Sequence, residues 1–289
     1  MTLATDHPYV LTATCQSRMG TTAAITGFLA ARRFYLMEMH QFDDISSQRF
    51  FVRITFCGVQ GETIDLEELR AQFQAVADRE EMQWRIHDSR ERTRVLIMVS
   101  NLDHCLEDLL YRHRTGELKM DVTAVVSNHL TLQGIAARHD LPFVHLPVTP
   151  ANKAEQERRL MELVDSTGTE LVVLARYMQI LSDDLCGRLK GRAINIHHSF
   201  LPGFKGAKAY HQAFTRGVKL IGATAHYVTT DLDEGPIIEQ EVERVDHTHR
   251  PEDLVAIGRD IENRVLARAI RCHTEHRVLP NGAKTVVFR

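Results

Sequence analysis

The chain has 289 residues, a length that predicts about two domains at roughly 150 residues each. Its 35 basic and 38 acidic residues give a net charge of −3, and 44% of its residues are hydrophobic. This composition is typical of a soluble globular protein, excludes disordered and collagen-like chains, and argues against a protein whose main task is binding nucleic acid. The 5 cysteines include no C-x-x-C pair, so we expect reduced thiols rather than disulfides or a zinc site. The 16 histidines are numerous and partly clustered.

The beginning of the sequence lacks the features of a targeting segment. The stretch before Tyr9 has neither a basic region nor an apolar run, so we expect no secretory signal. Apolar runs such as Val95–Val99 and Leu171–Ala175 have the length of buried strands, well short of the roughly 18 residues of a membrane span. These features predict a cytoplasmic protein that does not enter a membrane.

Residues 8–88 predict a small unit with the order strand, helix, strand, strand, helix, strand. The strands are expected at Tyr9–Thr14, Tyr35–Phe42, Phe50–Phe56 and Met82–His87, and the helices at Thr21–Arg33 and Leu66–Ala77. This βαββαβ order is typical of a ferredoxin-like unit. The unit contains no cluster of catalytic residue types.

Ser89–Arg94 is polar and highly charged, and we interpret it as a linker between domains at 1–88 and 95–289. After it, strands and helices alternate. The strands are expected at Arg94–Ser100, Val122–Ser127, Phe143–Leu146, Leu171–Ala175 and Ala193–His197, and the helices at Leu102–His113, Leu130–His139, Lys153–Ser166 and Ser182–Lys190. This alternation predicts a Rossmann-like α/β domain with a mostly parallel sheet, which binds ligands beyond the carboxyl ends of its strands. Two antiparallel strands within Leu220–Val242, a helix at Pro251–His276 and a short final strand complete the prediction.

The densest polar cluster runs from Asn195 to Phe204 and begins on a predicted buried strand. Asn195 and His197 are two residues apart, so their side chains leave the strand on the same face. A carboxamide beside an imidazole suits stabilisation of a developing oxyanion. A histidine at a strand end is also frequently a structural hydrogen-bonding residue, so this segment alone leaves both interpretations open.

A second polar segment extends from His226 to Pro236 and ends in a Gly-Pro turn. It contains Asp231 and Asp233, and aspartate and glycine are common turn formers. Taken alone, the segment is equally typical of a solvated loop.

Together the two segments resemble the folate-dependent formyltransferase family. The pattern Asn-x-His-x-Ser-x-Leu-Pro is followed by His-x-Val and then Asp-x-Gly-Pro, and the resemblance covers about residues 94–289. It implies a catalytic trio of Asn195, His197 and Asp233. Supporting roles are implied for three further residues, His198, Ser199 and His226. Val173–Ser182 resembles the folate-pocket loop of this family, which implies substrate-binding roles for Met178, Gln179, Leu181, Val228 and Thr230.

Three features narrow the resemblance within this family. Ser100–Cys105 lacks the glycine-rich turn that cradles a phosphate in relatives that formylate glycinamide ribonucleotide. The chain also lacks the basic C-terminal domain expected for a tRNA acceptor. The N-terminal unit resembles an ACT domain, a small-molecule sensor that pairs between subunits, which implies effector contacts at Arg18, Met19 and Gly20 and glycine or methionine as effector.

An ACT-like unit followed by a formyltransferase-like unit resembles the formyltetrahydrofolate deformylase family, and so does His198 after His197. The resemblance implies hydrolysis of 10-formyltetrahydrofolate by water, which would supply formate for purine biosynthesis and balance one-carbon folate pools. It implies no cofactor beyond the folate substrate, no metal, and a homo-oligomer such as a tetramer or hexamer. Lys205 and Lys208 can attract the acidic tail of folate or serve only as solvated charges.

Two other functions stay open at this point. One is formyl transfer to an unrecognised amine, which would require an acceptor. The other is a folate-binding or amino-acid-sensing regulator without activity, although such a protein has no reason to keep Asn195, His197 and Asp233 together.

Overall fold

The computed structural model describes residues 7–58, 64–203 and 209–289, so Lys205 and Lys208 lie outside the described residues. The chain divides into two compact units. Unit 1 comprises the residues up to Arg92 together with Glu275–Asn281 and Val286–Arg289, and unit 2 comprises Thr93–Thr274 and Gly282–Thr285. This division differs from the boundary expected from the sequence, which assigned everything after residue 94 to the second domain.

The reason for the difference is a small apolar cluster in unit 1. Leu279 and Phe288, near the end of the chain, bury their side chains together with Phe51. Burial of such large apolar side chains stabilises the association of the C-terminal segment with unit 1. At the other boundary, Ser89 donates a hydrogen bond to the Pro8 carbonyl, so part of the expected linker belongs to unit 1.

The described N-terminal part of unit 1 contains four strands and two helices in βαββαβ order. They are β1 (Tyr9–Gln16), α1 (Thr21–Ala31), β2 (Tyr35–Asp44), β3 (Arg49–Cys57), α2 (Leu66–Arg79) and β4 (Gln83–Asp88). The strands pair antiparallel in the order β2-β3-β1-β4. Alternate residues of β1, including Leu11 and Ala13, pack against Ile25 and Leu29 of α1, as the period-two pattern of a half-buried strand predicts. Asp65 caps α2 by accepting hydrogen bonds from two backbone N–H groups of its first turn.

Unit 2 is an α/β domain around a seven-stranded sheet. Its elements are β5 (Thr93–Val99), α3 (His104–Arg114), β6 (Met120–Ser127), α4 (Gln133–Arg138), β7 (Phe143–His145), α5 (Lys153–Ser166), β8 (Leu171–Leu174), α6 (Asp183–Arg188), β9 (Ala193–His197), α7 (Ala209–Arg216), β10 (Leu220–Tyr227), β11 (Ile237–Arg244) and α8 (Pro251–Thr274). The sheet order is β11-β10-β9-β8-β5-β6-β7. Strands β5 to β9 pair in parallel, and β10 and β11 add antiparallel pairs. The prediction of an α/β fold with a mostly parallel central sheet is confirmed.

The continuous apolar runs are strands that lie buried in the core of unit 2. Every residue from Val95 to Val99 is buried, because a parallel strand covered on both faces exposes neither side to water. Helix α5 turns Leu160, Met161 and Val164 toward the same core. Helix α7 was not predicted from the sequence, and neither was the second strand of the final hairpin, in which β12 (Val278–Asn281) pairs with β13 (Lys284–Val287).

Two properties of the described residues bear on the expected class of protein. No described helix is long and apolar enough to cross a bilayer. All five cysteines carry free thiols, and four of them are buried.

Candidate active site

Strands β9 and β10 assemble the first part of the site. Asn195 and His197 lie on the same face of β9, and the antiparallel register places His226 opposite Asn195 and Thr224 opposite His197. The pairing of β10 with β11 shifts between Ala225 and His226, an irregularity of the kind that re-aims side chains near functional sites. The sheet therefore presents one carboxamide and two imidazoles on a common face.

Asp233 completes the group from the loop that joins β10 to β11. Its carboxylate oxygen Oδ1 lies 3.2 Å from His197 Nδ1 and 3.8 Å from His226 Nε2, and its side chain is 7% exposed. Its φ of 59° lies in the left-handed region that non-glycine residues seldom adopt. Such backbone strain is common where a side chain is held for function. The structure thus brings together the three residues that the resemblance implies as catalytic.

A close backbone approach at Gly235 holds this loop in place. A Cβ atom at Gly235 would lie 1.7 Å from the carbonyl oxygen of Tyr227, so only glycine fits there. The Tyr227 N–H donates to the carbonyl of Pro236 at 2.9 Å, which closes the loop directly behind Asp233.

His226 is held as a neutral imidazole. Burial lowers its pKa, and the charge of Asp233 and the contact with the Tyr227 carbonyl only partly offset this effect. Its Nδ1 lies 2.9 Å from the Tyr227 carbonyl oxygen, which can only accept, so Nδ1 carries the proton. Nε2 is then an acceptor, and it lies 3.3 Å from the Nδ2 of Asn195. This contact orients the carboxamide of Asn195.

Asp233 is held as a carboxylate. Burial alone would raise its pKa, but the hydrogen bond from His197 and the neighbouring imidazoles outweigh burial and lower the pKa below its usual value. The site therefore contains an ionised carboxylate beside an N–H-bearing histidine in a mostly buried environment.

The cluster lies at one end of a cavity of about 290 Å³. The walls are largely apolar, with a few convergent polar groups, as is usual for sites that bind small organic molecules. All five residues expected to bind folate line this cavity, namely Met178, Gln179, Leu181, Val228 and Thr230. The loop after β8 and the loop after β10 both contribute to the lining, although β8 and β10 run in opposite directions, so the two loops leave their strands at opposite edges of the sheet.

The other two residues with implied supporting roles, His198 and Ser199, have different surroundings. His198 lines the cavity, and burial followed by the nearby charge of Arg176 lowers its pKa to about 4, so it is neutral. Ser199 instead supports the turn after β9: its hydroxyl donates to the Gly203 carbonyl and its own carbonyl accepts from Thr224. Thr224 was not predicted as a site residue, because only the pairing of β10 with β9 places it opposite His197.

A buried polar cluster behind His198 was also missed. Glu262 of α8 is 1% exposed and accepts hydrogen bonds from Tyr210 at 2.8 Å and from His104 Nε2 at 2.9 Å. Arg176 Nε lies 3.3 Å from the same carboxylate. A glutamate among the apolar positions of a long helix is the one sequence signal that could have found the cluster, because buried carboxylates require partners.

This cluster includes the one group of potential metal ligands found among the described residues. Ligand atoms of His104, Cys105 and Glu262 lie within 4.8 Å of one another. Burial, followed by the charge of Glu262, raises the pKa of the Cys105 thiol well above its usual value, so it is not a thiolate. Arg176 already supplies the countercharge of Glu262. These donors therefore fit an internal ion pair better than a metal.

The residues expected to contact an effector lie in the turn between β1 and α1 of unit 1. Gly20 has a φ of 89° and precedes the first residue of α1, and Met19 is fully exposed. Arg18 forms an exposed ion pair with Glu81 at 2.7 Å.

Comparisons with known proteins give a consistent result. Residues 93–270 match the family described as Formyl transferase. The chain is 50% identical to a formyltetrahydrofolate deformylase of Corynebacterium sp. (strain P-1), over 97% of this chain and 98% of that relative. It is 56% identical to the crystal structure of a formyltetrahydrofolate deformylase from Burkholderia mallei, with a TM-score of 0.93 over 98% and 100% of the two chains. A glycinamide ribonucleotide transformylase from Symbiobacterium toebii is 30% identical, with a TM-score of 0.65, and covers 68% of this chain and 95% of its own.

Proposed function

The chain belongs to the formyltetrahydrofolate deformylase family, and from this premise we propose that it hydrolyses 10-formyltetrahydrofolate to tetrahydrofolate and formate. The observation that carries the proposal is the group of Asn195, His197 and Asp233 at one end of a largely apolar cavity. A flat aromatic substrate needs the apolar walls, and hydrolysis of its formyl group needs a carboxylate and hydrogen-bond donors at the same place.

The substrate is oriented by the two loops that form the cavity walls. The pterin ring lies between the loop containing Met178 and Leu181 and the backbone of Val228–Asp233, which offers hydrogen-bonding groups to the ring edge. This orientation brings the formyl group on N10 to Asn195 and His197. Closure of the cavity by the substrate removes bulk water and strengthens the electrostatic contacts of Asp233.

The chemical step needs an activated water and a stabilised oxyanion. Asp233 orients a water and takes its proton as the water oxygen bonds to the formyl carbon. The carbonyl oxygen becomes an oxyanion and accepts hydrogen bonds from the carboxamide N–H of Asn195 and from an N–H of His197. The intermediate then collapses: the bond from carbon to N10 breaks, N10 receives a proton from the site, and formate leaves. The step needs no cofactor and no metal.

Unit 1 is proposed to act as an ACT-like regulatory domain. Its βαββαβ order and its sheet order support this assignment. We place effector contacts at Arg18, Met19 and Gly20, with glycine or methionine as the effector, and we propose assembly into a homo-oligomer such as a tetramer or hexamer. In the cytoplasm, the formate released would feed purine biosynthesis while the reaction balances the folate pool.

Two substitutions test the catalytic assignment. Asn195→Ala removes an oxyanion donor and Asp233→Asn removes the carboxylate, and each should lower kcat on the order of 100- to 1000-fold. Absorbance-monitored release of tetrahydrofolate measures the rate, and circular dichroism checks that each variant is folded. Asp140→Asn is the matched control, because Asp140 also has a positive φ (54°) but is exposed in a turn. Wild-type turnover in either active-site variant would refute the assignment.

The same assay separates the proposed function from its alternatives. Release of tetrahydrofolate and formate with water as the sole acceptor is expected of a hydrolase. A formyltransferase would release tetrahydrofolate only after an amine is added, and a regulator without activity would release none.

A further inference from the structure

The crevice at the centre of unit 2 is filled by the protein's own side chains. In open α/β sheets, ligands bind beyond the carboxyl ends of the strands where the strand order reverses. In this sheet the reversal lies between β5 and β8, because the chain leads from β5 outward to β6 and β7 and then returns to the opposite side of β5. His104 follows β5 and Arg176 follows β8, so both residues lie at this crevice.

The carboxylate of Glu262 lies beside the side chains of the first two residues of α3, His104 and Cys105. A helix N-terminus attracts anions, and a carboxylate oxygen of Glu262 lies 2.9 Å from Nε2 of His104, the first residue of α3. Arg176 and Tyr210 contact the same carboxylate. The sequence in this turn lacks the glycines that would leave its backbone N–H groups accessible to a phosphate.

The filled crevice adjoins the catalytic cavity. Arg176 and His198 both line that cavity, and the ring centroid of His198 lies 6.0 Å from that of Tyr210. The hydroxyl of Ser100, at the end of β5, accepts from the Met178 N–H at 3.0 Å and so ties the loop after β8 to β5. The cluster therefore adjoins the catalytic cavity through Arg176, His198 and the loop after β8.

Arg176 has a strained backbone, which indicates a functional role for its side chain. Its φ of 63° lies in the left-handed region, where glycine is favoured and arginine is strained. The side chain is nevertheless 9% exposed and paired with a carboxylate that is 1% exposed. Burying two charges costs free energy of desolvation, so we do not attribute this ion pair to stability alone.

Building on the proposed function, we propose that the Arg176–Glu262 pair, with His104 and Tyr210, determines that water rather than an amine attacks the formyl group. The cluster fills the place where an amine acceptor, and above all one with a phosphate, would bind. Water is small enough to reach the formyl carbon without displacing it. Transfer to an amine would break the same bond to N10 but form a new C–N bond, and the proton lost by the amine would go to N10.

The test is a competition between water and an amine. The double variant Arg176→Gly/Glu262→Gln removes both charges at once, so neither is left buried alone. Enzyme, 10-formyltetrahydrofolate and excess glycinamide are incubated, and mass spectrometry measures formate and N-formylglycinamide. We expect wild type to give formate with at most a trace of N-formylglycinamide, and the double variant to raise the ratio of formylated amine to formate at least tenfold.

The control variant is Arg268→Ala/Glu241→Gln, which removes an Arg–Glu pair that is partly exposed. Its product ratio should equal that of wild type. A folded double variant at Arg176 and Glu262 that releases formate without any formylated glycinamide would overturn the proposal. Absence of formate from wild type would instead refute the proposed function, so the two failures are distinguishable.

Two further measurements do not depend on the folding of the double variant. His104→Ala leaves Arg176, Tyr210 and Glu262 in place but opens the start of α3, and it should form some N-formylglycinamide. Wild type incubated with phosphoethanolamine, an amine that carries a phosphate, should neither bind nor formylate it. The proposal is contradicted if wild type formylates phosphoethanolamine. It is also contradicted if folded His104→Ala produces no formylated amine.

Discussion

The contact between Gly235 and Tyr227 provides the most direct test of how the site is positioned. In Gly235→Ala, the new Cβ would lie 1.7 Å from the Tyr227 carbonyl oxygen and 3.1 Å from Nδ1 of His226. Ordinary contact begins at 3.4 Å, so the backbone must open by about 1.7 Å. The Tyr227 carbonyl fixes the proton on His226, and Asp233 lies two residues from the substituted position.

Such a displacement should be costly for catalysis. A misplacement of about 1 Å can lower a rate roughly 100-fold, so we expect at least that loss in kcat for Gly235→Ala. The assay is acceptor-free release of tetrahydrofolate, and circular dichroism establishes that the variant is folded. Gly134→Ala is the control, because a Cβ there meets nothing within 4 Å. If Gly235→Ala keeps wild-type kcat, the tight loop does not position Asp233 and His226 as argued.

Two further predictions concern stability. Gly258→Ala would place a Cβ 2.1 Å from Cζ of Tyr210, and overpacking of this kind costs about 1–3 kcal/mol. Thermal unfolding should therefore show a lower Tm for Gly258→Ala. The control, Gly187→Ala, has open space at its Cβ and should keep the Tm of wild type. Burial lowers the pKa of His273 to about 4, so the folded chain favours its neutral form. The unfolded chain takes up the proton first as the pH falls below 6.5, so this histidine alone should lower the free energy of unfolding by about 3 kcal/mol between pH 6.5 and 4. Urea unfolding should show a shallower decline in His273→Gln, and an unchanged decline would contradict this account.

The sequence predicted the parts of the site that depend on local periodicity. Asn195 and His197 follow from the two-residue repeat of β9, whose bounds were predicted correctly. Asp233 has no comparable local signal, because its approach to His197 depends on the β10–β11 loop and a left-handed backbone. Only the motif resemblance implied its role.

The features that were not predicted from the sequence escaped prediction for different physical reasons. The turn Asn281-Gly282 is a recognisable hairpin signal, so the strand pair β12–β13 was predictable in principle. Association of Leu279 with Phe51 was not predictable, because it joins residues at opposite ends of the sequence. The Glu262 cluster is of this second kind, since its members come from four segments that meet only in the folded sheet.

For the proposed mechanism, the charge balance of the cavity favours one histidine as the group that supports the oxyanion. Asp233 is ionised, and a second negative charge developing on the formyl oxygen beside it would be repelled. His226 cannot offset that charge, because its Nδ1 proton is committed to the Tyr227 carbonyl and burial disfavours a second proton. Burial and the charge of Arg176 likewise keep His198 neutral. Of the three histidines that line the cavity, His197 alone contacts the carboxylate at hydrogen-bonding distance, so in the proposed mechanism His197 is the histidine that supports the oxyanion.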